Sequence, residues 1–156
     1  MKALKVAALV LLIGLILAAF AAPIGVVPGF LIGGTPMEVP DSWGETRPIH
    51  EIELQIGEGP IGRTVTIWMV QLDGDLYVIG DADSAWTRGI GTGGSVRMRM
   101  EDRLYDLTAT PVAMGQADVI AAWLKKYEPD YPEIVAGAAA EERARTAAVF
   151  RLTARS

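Results

Sequence analysis

Thr64-Val65-Thr66-Ile67-Trp68-Met69-Val70-Gln71-Leu72, then Asp73-Gly74, then Asp75-Leu76-Tyr77-Val78-Ile79, is the stretch that decides the fold. The first run carries β-branched and aromatic residues at both parities, as a strand covered on both faces requires. An Asp-Gly pair between two apolar runs is the strongest local signal for a two-residue hairpin. Upstream, Ile49 to Ile56 alternates, with Ile52, Leu54 and Ile56 opposed to Glu51, Glu53 and Gln55, and Gly57 to Gly62 reads as a turn. Downstream, Val96, Met98 and Met100 alternate with Ser95, Arg97 and Arg99, and Glu101-Asp102 turns the chain into Arg103 to Thr110.

Helical spacing follows. Val119, Ile120, Trp123, Leu124 and Tyr127 form one stripe, with Asp118 early and Lys125-Lys126 late, as the helix dipole prefers. Asp130, Pro132 and Glu133 open a second helix expected to run through Ala140. Ala147 to Thr153 returns to strand character. The pattern predicts a mainly β (α+β) domain of about six antiparallel strands with two or three helices.

Charge is distributed unevenly along the 156 residues. None falls between Val6 and Met37; setting aside Lys2 and Lys5 leaves 12 basic against 19 acidic residues, a balance of −7, from Glu38 onward. Such a surface repels phosphate backbones, which argues against nucleic-acid binding. The chain has no cysteine and no asparagine, and His50 is its only histidine. Disulfides, thiolate chemistry, N-glycosylation and a histidine-built metal site within one chain are thereby excluded.

Val6 to Ala22 is apolar throughout and continues to Val27, enough for a helix to cross a bilayer's roughly 30 Å core. The sequence is read as an N-terminal transmembrane anchor or signal segment over 1–34, a Pro- and Gly-bearing linker over 35–48, and a domain over 49–156. Lys2 and Lys5 precede the apolar run and Glu38 and Asp41 follow it, so a retained single-pass anchor puts the N-terminus in the cytoplasm and the domain outside. The alternative is cleavage after Ala19-Phe20-Ala21 and secretion.

Several motifs carry less than their letters suggest. Gly89-Ile90-Gly91-Thr92-Gly93-Gly94 satisfies G-x-G-x-x-G, but strands follow where a dinucleotide fold needs a helix, so it reads as a turn or a backbone approach to a ligand. Asp73, Asp75, Asp81 and Asp83 lie on turns rather than on a calcium loop. Ser42, Ser84 and Ser95 lack a nucleophile elbow. His50 reads as a rim histidine. Ser84-Ala85-Trp86-Thr87-Arg88 is a short helical turn whose hydroxyls and guanidinium suit an anion.

Arg63 to Val70, Asp73 to Val78 and Ser84 to Arg88 together resemble the split β-barrel superfamily of pyridoxamine-phosphate-oxidase-like flavoproteins, closest to its deazaflavin-dependent nitroreductase-like branch. Val149 to Arg155 is similar to that branch's last strand. The resemblance implies a split β-barrel and an FMN or deazaflavin cofactor, bound in a cleft usually shared by a homodimer, for hydride or electron transfer. Carried over, Arg63, Thr64 and Thr66 approach the ring or its phosphate tail, and Ser84, Trp86 and Arg88 are phosphate contacts. Gly89 departs from the asparagine that commonly follows the arginine. No separate catalytic residue and no metal are implied. The alternative is the same barrel without redox work, a binding or interaction module at the membrane surface, holding a small ligand, haem or a protein.

Overall fold

The structure, a computed structural model, describes residues 9–14, 29–57, 59, 61–135 and 145–155. Of the expected membrane segment, residues 9–14 are helical and exposed and residues 29–34 are described without helix; the rest lies outside the described residues, as does the second expected helix beyond 135. Among the described residues, no helix is long and apolar enough to cross a membrane.

Seven strands form one sheet: β1 (Thr35–Pro36), β2 (Glu51–Ile56), β3 (Arg63–Leu72), β4 (Asp75–Asp81), β5 (Gly94–Met100), β6 (Arg103–Pro111) and β7 (Ala147–Ala154). Among the described residues, three helices besides residues 9–14 accompany them: α1 (Ala85–Ile90), α2 (Gln116–Tyr127) and α3 (Pro132–Val135). The order is β1-β6-β5-β2-β3-β4-β7, and a further β6–β7 pairing closes six antiparallel strands into a barrel. β1 adds in parallel to the start of β6.

Alternation along the strands sorts side chains between two cores. Ile52, Leu54, Val65, Met69, Leu76, Val78, Val96, Met98, Leu107, Phe150 and Leu152 fill the barrel. Val70, Val149 and the partly buried Trp68, Tyr77 and Ile79 face outward, where Val119, Ile120, Trp123 and Tyr127 of α2 cover them. The double-sided strand expected at 64–72 is therefore β3, with barrel on one face and helix on the other. At the hairpin, Asp73 (φ +52°) and Gly74 (φ +89°) both take positive φ, the type I′ geometry that suits the twist of paired strands.

The stretch from Thr35 to Pro48, read as a linker, lies against the barrel. Val39 and Trp43 pack on the barrel core, Trp43 meeting Tyr105 edge-on at 5.0 Å. Thr46 is buried and its hydroxyl donates to Gln71 Oε1 (2.9 Å). This wrapping closes the hairpin end of the barrel.

The barrel is split at the other end. β3 pairs with β4 only from Met69↔Val78 to Leu72↔Asp75, whereas its pairing with β2 continues to Arg63↔Ile56. The first half of β3 thus departs from β4. Thr64 bridges there to Gly29, each donating its N–H to the other's carbonyl (2.8 and 2.9 Å), so a returning segment covers part of an edge that would otherwise be open.

Candidate functional site

α1 lies across the split end because its sequence caps and packs it there. Ser84 is the N-cap: its hydroxyl accepts from Thr87 N (3.3 Å) and lies 2.8 Å from Thr87 Oγ1. Thr87 is buried and its Oγ1 is 2.7 Å from Asp81 O, fixing the turn to the end of β4. Trp86 packs over Gly80 and beside Phe150 (6.1 Å between rings); a Cβ at Gly80 would overlap the Trp86 ring. Ile90 completes the barrel core.

Beyond α1 the glycine-rich stretch leads into β5. The helix precedes these glycines and the strand follows, the reverse of a dinucleotide fingerprint. Gly89, Gly93 and Gly94, with Gly57, Ile56 and Ser95, wall a groove of about 360 Å³. That is near the small end of ligand sites. Among the described residues, no titratable side chain lines it. A Cβ at Gly94 would meet no atom within 4 Å, so the groove owes its openness partly to missing side chains.

The six residues expected at a cofactor site lie on two elements, Arg63, Thr64 and Thr66 on β3 and Ser84, Trp86 and Arg88 at α1. Arg63 and Arg88 are exposed: Arg63 pairs with the groove residue Ile56, and Arg88 directly precedes the groove residue Gly89. Thr64 and Thr66 share the outward parity of Trp68, and Thr64 is fully buried, with Gln55 Nε2 donating to its hydroxyl (3.3 Å). Thr66 is half-buried opposite Glu53. Ser84 is committed to its cap, and Trp86, half-buried, is committed to packing. Two exposed guanidiniums and exposed groove backbone are groups of the kind that bind an anion. The Thr64 and Ser84 hydroxyls, by contrast, already accept from Gln55 and from Thr87 N.

A second cleft, also of about 360 Å³, lies at the hairpin end among Glu45, Arg47, Gln71, Asp73, Lys125 and Lys126. Sequence reading passed over its main feature. Lys126 is buried, and its ammonium donates to the carbonyls of Thr46 (3.3 Å), Ile49 (2.7 Å) and Met69 (2.9 Å). Burial draws its pKa down from 10.5 to about 8, against the opposing pull of Glu45. Beside it the Tyr127 hydroxyl lies 2.6 Å from His50 O and 2.8 Å from Met69 O and accepts from Met69 N (3.1 Å); burial raises its pKa. Trp68 stacks on Tyr127 at 4.3 Å, and His50 Nε2 is 3.3 Å from Asp130 Oδ2. These groups bind one another and the backbone, which is the pattern of a structural clamp.

Two of the four aspartates considered for a cation have local partners: Asp75 pairs with Arg151 (2.7 Å), and Asp81 accepts from Asp83 N (2.7 Å). Among the described residues, no three acidic or histidine side chains gather as metal ligands would.

No family model matches the chain. No curated protein matches it either. Among solved structures, the conserved hypothetical protein Rv2991 from Mycobacterium tuberculosis superposes with a TM-score of 0.50 at 15% identity, covering 76% of this chain and 83% of that one. At that identity the likeness is one of fold, and with the open β3–β4 ladder it makes this domain a split β-barrel.

Proposed function

We propose that the chain is a membrane-tethered split-barrel protein that binds FMN or a deazaflavin at its split end for hydride or electron transfer. The supporting observation is the groove itself: glycine backbone is left open there, and Arg63 and Arg88 stand exposed at its margins. The two guanidiniums would hold an anionic tail, and the groove would seat part of the ring. When bound, the flavin or deazaflavin supplies the hydride chemistry; the chain's own residues bind and orient it. Among the described residues, no titratable group lines the groove, so the reading assigns the lining a binding role.

One observation favours a second reading, a split barrel used as a binding or interaction module without redox work. The hydroxyls of Thr64 and Ser84 are already occupied by Gln55 and Thr87. Titration of the full chain in detergent with FMN, a deazaflavin and haem separates the two. Saturable flavin or deazaflavin binding is expected, weakened roughly 10- to 150-fold by Arg88→Ala, as for loss of a charge-assisted contact worth about 1.5–3 kcal/mol. A folded chain that ignores both flavins would overturn the cofactor proposal and leave the interaction module.

A further inference from the structure

The charge-free run meets the barrel at two places, at β1 against the start of β6 and, earlier in the chain, beside the start of β3. Gly29 exchanges two backbone hydrogen bonds with Thr64, near the beginning of β3. The next carbonyl, Phe30 O, accepts from Gly62 N (3.0 Å) and from Nε2 of the fully buried Gln55 (3.1 Å). A buried side-chain amide aimed at that carbonyl makes the seat part of the barrel's own structure.

Three large apolar side chains stand in solvent beside it: Phe30 at 55% exposure, Leu31 at 45% and Ile61 at 69%. Single exposed apolar residues are ordinary. Here two sit on the segment that continues residues 6–28, which hold no charge, and the third precedes the residue hydrogen-bonded to that segment. An apolar patch contiguous with an apolar chain matches a lipid interface better than water. Because the domain carries a balance of −7, the match is to the apolar boundary rather than to anionic headgroups.

We infer that the Arg63 end of β3 lies against the bilayer, with Phe30, Leu31 and Ile61 at the boundary between headgroups and acyl chains. The placement rests on the membrane tether proposed above, and it puts the glycine-walled groove on the membrane-proximal side of the barrel. The hairpin end, the full ten-residue length of β3 away, then faces water.

Because the chain has no cysteine, a label can be sited uniquely. Ile61→Cys and Lys125→Cys, each in the full chain, carry an environment-sensitive fluorophore in phosphatidylcholine vesicles containing a nitroxide-headgroup or shallow acyl-nitroxide lipid. Lys125 is exposed beside the cleft that also contains Asp73, at the hairpin end. Several-fold stronger quenching is expected for the Ile61→Cys label than for the Lys125→Cys label. Equal weak quenching in a chain that co-sediments with vesicles overturns the placement while leaving the tether intact. A chain that remains outside the vesicles overturns both. A lipid-free, concentration-dependent blue shift of the Ile61→Cys label assigns the patch to a second copy and also overturns the placement.

Discussion

At the hairpin end of the barrel the Lys126 ammonium meets three carbonyls and the Tyr127 hydroxyl reaches two; at the split end Arg63 and Arg88 stand exposed beside a groove of glycine backbone. Both ends contain a cleft of about 360 Å³, so volume does not distinguish them. What differs is where the polar groups are directed. A buried polar group satisfied within the protein contributes to the fold, and replacing it leaves its partners unpaired. An exposed cation beside open backbone contributes little to the fold and remains available to a ligand. The two ends should therefore respond oppositely to substitution, one losing stability and the other losing binding.

The largest effect is expected at Tyr127. It is fully buried, stacks on Trp68 and ties α2 to Met69 and His50. Tyr127→Ala should cost about 3–5 kcal/mol, as large-to-small aromatic changes in cores do. Tyr127→Phe, which keeps the stack, should cost about 1 kcal/mol through the lost hydroxyl bonds. Urea unfolding followed by tryptophan fluorescence measures both. Equal losses would mean that the hydroxyl, rather than the ring, fastens the helix.

Lys126 comes next and adds a pH signature. Lys126→Met leaves the carbonyls of Thr46, Ile49 and Met69 without that donor and should cost about 1–3 kcal/mol. The folded lysine releases its proton near pH 8 while the unfolded one holds it to about 10.5. The unfolded state therefore binds more protons across that window, and stability should rise as pH climbs from about 8 toward 10. The raised pKa of Tyr127 acts in the opposite direction above its ordinary value of 10. Urea midpoints at pH 7.5 and 9.5 should increase for the natural chain and remain level for Lys126→Met. A matching rise in the variant would assign the effect to another group.

These clamp residues also show where sequence reading stops. The six long strands were legible because alternation and the Asp73-Gly74 turn are local properties, and α2 was legible from its stripe. Thr35 to Pro48 was not legible as part of the barrel: Val39 and Trp43 are isolated among prolines and a glycine, and no period announces that they bury. Lys125 and Lys126 look alike in sequence, yet one is exposed and the other buried. The acceptors of Lys126 are backbone carbonyls 57 to 80 positions away, and a carbonyl has no sequence identity. At the split end, Arg63 and Arg88 could be nominated by residue type. That Thr64 is occupied by Gly29 and Gln55 could not, because it depends on where β3 leaves β4.

The smallest effect on stability and a large one on binding should coincide at Gly94. It opens β5 opposite Ala109, lines the groove, and has clear space where a Cβ would stand. Its φ is not in the left-handed region, and valine favours strands, so Gly94→Val should change stability by no more than about 0.5 kcal/mol. The added isopropyl group would nevertheless occupy the groove, and flavin or deazaflavin affinity should fall by roughly tenfold or more, a loss of about 1.4 kcal/mol or greater. This variant tests the groove independently of Arg88→Ala, since it obstructs where the arginine change removes an attraction. If Gly94→Val binds normally while Arg88→Ala does not, the ligand lies over the arginine and outside the groove. If both variants bind normally, the split end is no more functional than the clamp, and the contrast between the two ends reduces to one of packing.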